Sequence, residues 1–267
     1  MNNVTLALLL SLAAGLSTGI GSLITLFSKG KNANFLAVSL GFSAGVMVYV
    51  SLVELLHNSQ GILSEALGDI SGKAVAALGF FAGMALAALI DKVLPHDDNP
   101  HESGHSNADH YKPLYNTERK LMRTGLITTI AIAVHNFPEG IATFVSSLNG
   151  LSVALPVLLA IALHNIPEGI SVSVPIYYAT GSKTKAVLLS FASGLAEPLG
   201  AVISYLILMP FLNDTVYGVI FALVAGIMVF ISIDELLPAA REYGGDHLSI
   251  YGMVSGMAVM AISLVVI

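Results

Sequence analysis

Eight stretches of about 20 or more mostly apolar residues divide the sequence. An α-helix crosses the hydrocarbon core of a bilayer in about this length, whereas the strands of a membrane barrel are about half as long and alternate apolar with polar residues. These stretches do not alternate, so they predict an all-α polytopic membrane protein. The predicted spans lie near 4–27, 34–57, 74–95, 124–148, 152–178, 184–210, 216–240 and 249–267.

Charged residues are too few to cover the surface of a water-soluble protein. They make up 10% of the 267 residues, and the mean hydropathy is +0.81. An ordinary globular domain is about one quarter charged. We therefore exclude a soluble enzyme, a nucleic-acid-binding protein and a disordered protein. Because the chain has no cysteine, disulfides, thiolate metal sites and iron–sulfur clusters are excluded as well.

The basic residues predict how the spans are oriented. Of the 11 Lys and Arg residues, all but Lys73 fall on one side of the predicted membrane. By the positive-inside rule that side is cytoplasmic, so both termini are expected outside the cytoplasm. The residues on the cytoplasmic side are Lys29, Lys31, Lys92, Lys112, Arg119, Lys120, Arg123, Lys183, Lys185 and Arg241.

The two halves of the chain resemble each other. Helix 2, at 44–56, and helix 7, at 225–237, share Ala-Gly, Met-Val, Ser and Glu-Leu-Leu in the same order. Weaker matches relate helix 1 to helix 6 and helix 3 to helix 8. Paired helices run in opposite directions, which predicts an inverted repeat of helices 1–3 and 6–8 around a central pair, helices 4 and 5. Secondary transporters use such repeats, with the binding site near the midplane. Similar composition could explain the weaker matches, but not the match between helices 2 and 7.

One motif occurs in both central helices. It reads His135-Asn136-Phe137-Pro138-Glu139-Gly140 in helix 4 and His164-Asn165-Ile166-Pro167-Glu168-Gly169 in helix 5. The His and the Glu of each copy are four residues apart and share a helix face, and the proline between them kinks the helix. Imidazole, carboxylate and amide groups together suit divalent ions such as Zn²⁺, Fe²⁺, Mn²⁺ or Co²⁺.

Three carboxylates, those of Glu139, Glu168 and Glu197, are predicted near the middle of the membrane. A charge there costs several kcal/mol unless it finds a partner, and no Lys or Arg is predicted at that depth. A bound divalent cation would balance them, and the two motifs with Glu197 could hold two ions. In ideal helices joined at Asn149-Gly150, Glu139 and Glu168 would differ in depth by about 12 Å. Kinks and tilt would have to close that gap.

Other polar groups have two open interpretations. Glu54, His57, Asp234 and Glu235 lie nearer to helix ends, where they could be solvated by lipid headgroups or could guide ions into or out of the membrane. A His/Asp-rich cytoplasmic stretch at about 96–123 could capture ions, although we favour a disordered polar linker.

The two motifs, with Gly194-Leu195-Ala196-Glu197 and Asp234-Glu235-Leu236-Leu237-Pro238, resemble those of the ZIP (Zrt/Irt-like) metal transporters over essentially the whole chain. The resemblance implies one transmembrane transporter domain over 1–267 in the bacterial cytoplasmic (inner) membrane. It also implies uptake of divalent metal through a binuclear site on helices 4, 5 and 6. The metals would be cargo rather than prosthetic groups. The expected partners are metal ions and the bilayer, with no nucleic acid; a homodimer is left open.

The resemblance also implies the ligands. His135, Glu139, His164, Glu168 and Glu197 correspond to zinc ligands, and Asn136 and Asn165 join the three glutamates in a second set shared with iron. Many eukaryotic members carry His-Glu-x-Pro-His-Glu in helix 5, where this chain has Asn165 in place of the first Glu and Glu168 in place of the second His. Fewer nitrogen ligands favour a broad divalent specificity, extending to Mn²⁺, Co²⁺ and Cd²⁺, over strict zinc selectivity.

Two classes of function compete for such a site. A transporter is favoured, and the chain has no Gly-x-x-x-x-Gly-Lys-Ser/Thr phosphate loop that would indicate ATP as the direct energy source. Coupling to protons, passive flow and a channel-like path are left open. The rival is a membrane-embedded di-metal enzyme. Its usual Glu-x-x-His spacing occurs at 54–57 and His-Glu-x-x-His occurs at 101–105, but neither lies in the two repeated motifs of helices 4 and 5. We therefore predict a transporter, not an enzyme.

Overall fold

The structure is a computed structural model and describes residues 3–27, 32–93, 113–148, 151–208, 210–211 and 213–266. The regular structure of these residues is helical, as the composition predicts, and we number eight helices. They are α1 (Asn3–Ser22, continued by Ile24–Phe27), α2 (Ala33–Tyr49, a π-helical Val50–Leu55, and Leu56–Leu67), α3 (Asp69–Val93), α4 (Pro113–Leu148), α5 (Leu151–Thr180), α6 (Lys183–Gly194, Ala196–Ile203 and a π-helical Ser204–Leu208), α7 (Asp214–Ile231 and a π-helical Ser232–Leu236) and α8 (Leu237–Val266).

Six stretches of the described residues are long and apolar enough to cross a membrane. The protein is therefore a multi-pass membrane protein, and six of the eight predicted spans are supported. The other two predicted spans correspond to α4 and α5, which are 36 and 30 residues long and carry the polar motifs. The six are Val4–Phe27, Ala33–Leu67, Asp69–Lys92, Lys183–Ile207, Asp214–Gly244 and His247–Val265.

Polar residues at the predicted breaks set the helix ends. The side chains of Asn32, Ser182 and Asn213 accept hydrogen bonds from backbone N–H groups in the first turns of α2, α6 and α7. Such caps satisfy donors that a helix start leaves without a partner. Gly68 and Gly181 end α2 and α5 with φ of +89° and +67°, a conformation that glycine adopts without strain.

Two helices extend beyond their predicted spans. α2 runs to Leu67 rather than ending near 57, and α4 starts at Pro113 rather than near 124. Proline suits a first helical position because its missing N–H needs no partner there. Part of the predicted 96–123 linker is thus helical. Residues 94–112, with His96, His101, His105 and His110, lie outside the described residues.

The eight helices pack as two groups of four. In one group α2 lies along α8 and α3 along α7; in the other, α1, α4, α5 and α6 surround one another. The groups meet mainly where α5 faces α2 and α4 faces α7. Polar contacts between the groups, among the described residues, include Ser43 to Pro167, Tyr178 to Asn32, and Arg123 to Asp91. The helices matched by the predicted repeat fall within the same group, although the inverted arrangement itself stays a prediction.

Candidate metal-binding site

The predicted ligands lie inside the four-helix group that contains both central helices. His135, Asn136, Asn165, Glu168 and Glu197 are completely buried, and Glu139 is 4% exposed. The side chain of His164 lies outside the described part of the structure, although its backbone belongs to α5. Buried polar groups in such numbers need hydrogen bonds or a ligand, because a buried group without a partner is costly.

The two motifs meet through a histidine of one copy and a glutamate of the other. Nε2 of His135 in α4 lies 2.8 Å from Oε1 of Glu168 in α5. The other ring nitrogen, Nδ1, lies 3.2 Å from the carbonyl oxygen of Ala131, which can only accept a hydrogen bond, so Nδ1 carries a proton. Nε2 therefore faces the carboxylate, and a metal ion at this position would have a nitrogen and an oxygen ligand from different helices.

Glu197 brings α6 to the same place. Asn165 Nδ2 donates to Glu197 Oε2 at 2.9 Å and to the carbonyl oxygen of Ala14 at 3.1 Å. Thr143 Oγ1 donates to Glu197 Oε1 at 3.3 Å. Hydrogen bonds from two helices thus hold both carboxylate oxygens of Glu197.

Some buried oxygens on the predicted ligands have no hydrogen-bond donor among the described residues. They include Oδ1 of Asn136, Oδ1 of Asn165 and Oε2 of Glu168. Each amide nitrogen is engaged elsewhere, that of Asn136 with Thr18 Oγ1 at 3.5 Å. Oxygens that accept but find no donor are the groups a cation would satisfy.

Glycines of the motif let the helix backbones touch at this level. A Cβ atom on Gly140 would lie 1.8 Å from the backbone oxygen of Glu197, and one on Gly169 would lie 1.8 Å from that of Thr18. α4 therefore packs directly on α6, and α5 on α1. Small residues allow this approach in membrane helices, and it brings the side chains of four helices into one site.

The contacts between the predicted ligands differ from those expected for two ideal helices joined at Asn149-Gly150. In ideal helices His135 would lie level with His164, yet His135 contacts Glu168, one turn further along α5. Likewise Asn165 of α5 contacts Glu197 of α6. Packing around the glycines therefore joins residues that helix length alone placed at different depths. The full seven-residue ligand set stays a prediction.

A second acidic group lies between α3 and α7. Potential ligand atoms of Asp91, Asp234 and Glu235 lie within 4.8 Å of one another. Arg123 Nη2 of α4 is 3.1 Å from Asp91 Oδ1, with both side chains less than one fifth exposed. Apolar residues that include Ala87, Ile130 and Phe230 line the adjacent cavity.

The sequence did not assign Asp91 or Arg123 to a site. It left two interpretations open for Asp234 and Glu235, solvation by lipid headgroups or a part in ion entry and exit. Their shared position at predicted cytoplasmic helix ends is a signal that could have grouped them. Of the other open residues, His57 is exposed and Glu54 is half-buried in the π-helical part of α2. Thr143, which donates to Glu197, was not among the site residues predicted from the sequence. Its only signal in the sequence was weak: it lies four residues after Glu139 on the same face of α4.

Comparison with known proteins agrees with the sequence motifs. Residues 92–264 match the family described as ZIP Zinc transporter. The "Zinc transporter ZupT" of Streptococcus mutans is 60% identical over 258 residues, which cover 97% of this chain and 96% of that protein. Proteins of the same name from Clostridium perfringens and Oceanobacillus iheyensis are 56% and 55% identical, covering 99% and 100% of this chain and 96% and 100% of their own lengths.

These matches decide between the two classes of function. The matched proteins are transporters, so the di-metal enzyme is set aside, and the match runs through both motifs and Glu197. The relatives also have nearly the same length as this chain, so the likeness is not confined to one segment. The chain belongs to the ZIP zinc transporter family.

Proposed function

We propose that this protein carries Zn²⁺, and other divalent cations including Fe²⁺, across the cytoplasmic membrane through a binuclear site in the α1, α4, α5 and α6 group. The observation that carries the proposal is the buried meeting of His135 with Glu168 and of Asn165 with Glu197. The proposed ligands are His135, Asn136, Glu139, His164, Asn165, Glu168 and Glu197.

The charge at this site supports a cation. Glu139, Glu168 and Glu197 are buried, and Glu197 accepts hydrogen bonds from the amide of Asn165 and the hydroxyl of Thr143. Neutral donors reduce the cost of a buried carboxylate without removing its charge. One or two divalent ions would supply the positive charge.

The ligand types support a broad specificity. Five of the seven proposed ligands offer oxygen and two offer nitrogen, which suits Fe²⁺ and Mn²⁺ as well as Zn²⁺. The zinc in the names of the relatives supports Zn²⁺ as a substrate. The side-chain oxygens of Asn136 and Asn165 support Fe²⁺ as a further substrate and a second ion-binding position.

Uptake into the cytoplasm is the proposed direction. The excess of basic residues supports a cytoplasmic side at the end of α5 and the start of α6, with both termini outside. On this orientation Asp91, Asp234 and Glu235 lie towards the cytoplasmic ends of their helices, where they could receive an ion leaving the midplane site. Movement of one helix group against the other would give alternating access.

The test is uptake of radiolabelled Zn²⁺ into proteoliposomes. We expect uptake by the unchanged protein, loss of uptake with Glu139→Ala and Glu168→Ala, and no loss with Glu65→Ala, a matched change at an exposed glutamate. Competition with Fe²⁺, Mn²⁺, Co²⁺ and Cd²⁺ measures specificity. Vesicles with the unchanged protein that take up no more zinc than empty ones would refute transport.

A further inference from the structure

Thr143 extends the ligand face of α4 by one turn. It lies four residues after Glu139 and eight after His135, so the three side chains share one side of the helix. Thr143 is completely buried, and its Oγ1 donates to Glu197 Oε1 across the contact between α4 and α6. The hydroxyl therefore joins two of the helices that carry the predicted ligands.

This use of a hydroxyl differs from its usual use in a membrane helix. Ser147 on the next turn of α4 donates to the carbonyl oxygen of Thr143 at 2.6 Å, and Thr129 donates to that of Gly125 at 2.6 Å. Such bonds within one helix satisfy the hydroxyl without any outside partner. Thr143 instead directs its proton at a carboxylate on another helix.

The similarity between the two motif-bearing helices does not extend to position 143. The residue of α5 that corresponds to Thr143, four after Glu168, is Val172, which is also completely buried. A valine has nearly the same shape but no donor. Both positions hold a buried side chain of similar size, and the one in contact with Glu197 has a hydroxyl.

The carboxylate of Glu197 is held at both oxygens. Thr143 donates to Oε1, and Asn165 donates to Oε2. Each donor occupies one lone-pair direction of its oxygen, and the two together set the rotation of the carboxylate plane. Groups of this kind, which orient a ligand without touching the metal, commonly change metal affinity or activity by about 10- to 100-fold when removed.

We propose that Thr143 is a positioning residue for Glu197, which orients its carboxylate for the divalent cation in the transport site. The inference rests on the proposed function, because it requires Glu197 to bind the cation. It adds a residue outside the repeated motif to the determinants of affinity. It also explains the different residues at positions 143 and 172, because Glu197 of α6 faces α4.

The experiment compares Thr143→Val, which keeps shape and removes the donor, with Thr143→Ser, which keeps the donor. Ser147→Ala is the matched control, because it removes a buried hydroxyl that bonds within α4. In zinc uptake by proteoliposomes we expect Thr143→Val to raise KM about tenfold. Thr143→Ser and Ser147→Ala should keep KM close to that of the unchanged protein.

A double substitution tests whether Thr143 acts through Glu197. Zinc binding to purified protein, measured by equilibrium dialysis, should weaken with Thr143→Val alone. In a Glu197→Gln background the same change should cause no further loss, because the orientation of the carboxylate no longer matters. Thermal unfolding of each purified variant separates this effect from a folding defect.

Three results would overturn the inference. These are an unchanged KM with Thr143→Val, a Thr143→Ser variant as impaired as Thr143→Val, and additive losses of binding in the double substitution. Uptake that Glu139→Ala abolishes but Thr143→Val leaves unchanged removes this inference and keeps the proposed function. Absence of zinc uptake by the unchanged protein removes both.

Discussion

Nε2 of His135 lies 2.8 Å from Oε1 of Glu168, and the two side chains belong to different copies of the repeated motif. Within one copy, the histidine and glutamate are four residues apart and could have formed a site on a single helix. The contact instead joins α4 to α5, with both side chains completely buried. The candidate site is therefore formed between helices, and its geometry depends on how closely they pack.

His135→Ala should abolish most zinc uptake, because it removes a predicted ligand and leaves the buried carboxylate of Glu168 without its imidazole partner. Glu168→Gln should do the same, since it removes a charge that the cation requires. The double substitution should lose no more than either single one, because both changes disrupt the same contact. Uptake rates in proteoliposomes measure this. Losses that multiply in the double variant would contradict a shared role.

Gly140→Ala should lower stability by about 1–3 kcal/mol and weaken metal binding, because the new methyl group would push α4 away from α6. The control is Gly61→Ala in α2, where an added Cβ would have nothing within 4 Å. There alanine should stabilise the helix by about 0.5–1 kcal/mol. Denaturant unfolding in detergent measures both changes. Equal effects of the two substitutions would contradict the role given to close packing at Gly140.

Arg123→Gln should slow the release of metal, because it removes the guanidinium that lies against Asp91 in the acidic group. The three carboxylates would then hold a divalent cation more tightly, so both KM and Vmax for zinc uptake should fall. Lys92→Gln is the control, since it neutralises an exposed cation next to Asp91 in the sequence. An unchanged Vmax with Arg123→Gln would argue against a part in release.

Ser43→Ala removes a 2.7 Å hydrogen bond from α2 to the carbonyl oxygen of Pro167 in α5. Ser59→Ala removes one of the same length, from α2 to Gly218 in α7, within one helix group. Each should cost about 0.5–1.5 kcal/mol of stability. Only Ser43→Ala should also change Vmax, because its bond crosses between the two groups that would have to move. Equal Vmax values for the two variants would contradict that distinction.

Much of this protein follows from its sequence alone. Long apolar stretches with little charge determined a helical membrane protein, since only helices satisfy the backbone within such segments. The capping residues Asn32, Ser182 and Asn213 marked helix starts at the predicted breaks. The two His-Asn-x-Pro-Glu-Gly motifs also predicted which side chains share a face, because that depends only on spacing along one helix.

The partners across helices were decided by the tertiary structure. Spacing within α4 could not predict that His135 contacts Glu168, or that Thr143 donates to Glu197, because both contacts depend on how α4 is rotated and how closely its neighbours approach. That approach is set where Gly140 and Gly169 bring backbones together. Sequence periodicity describes one helix at a time. The site joins side chains from several helices, so its geometry exists only once those helices have packed.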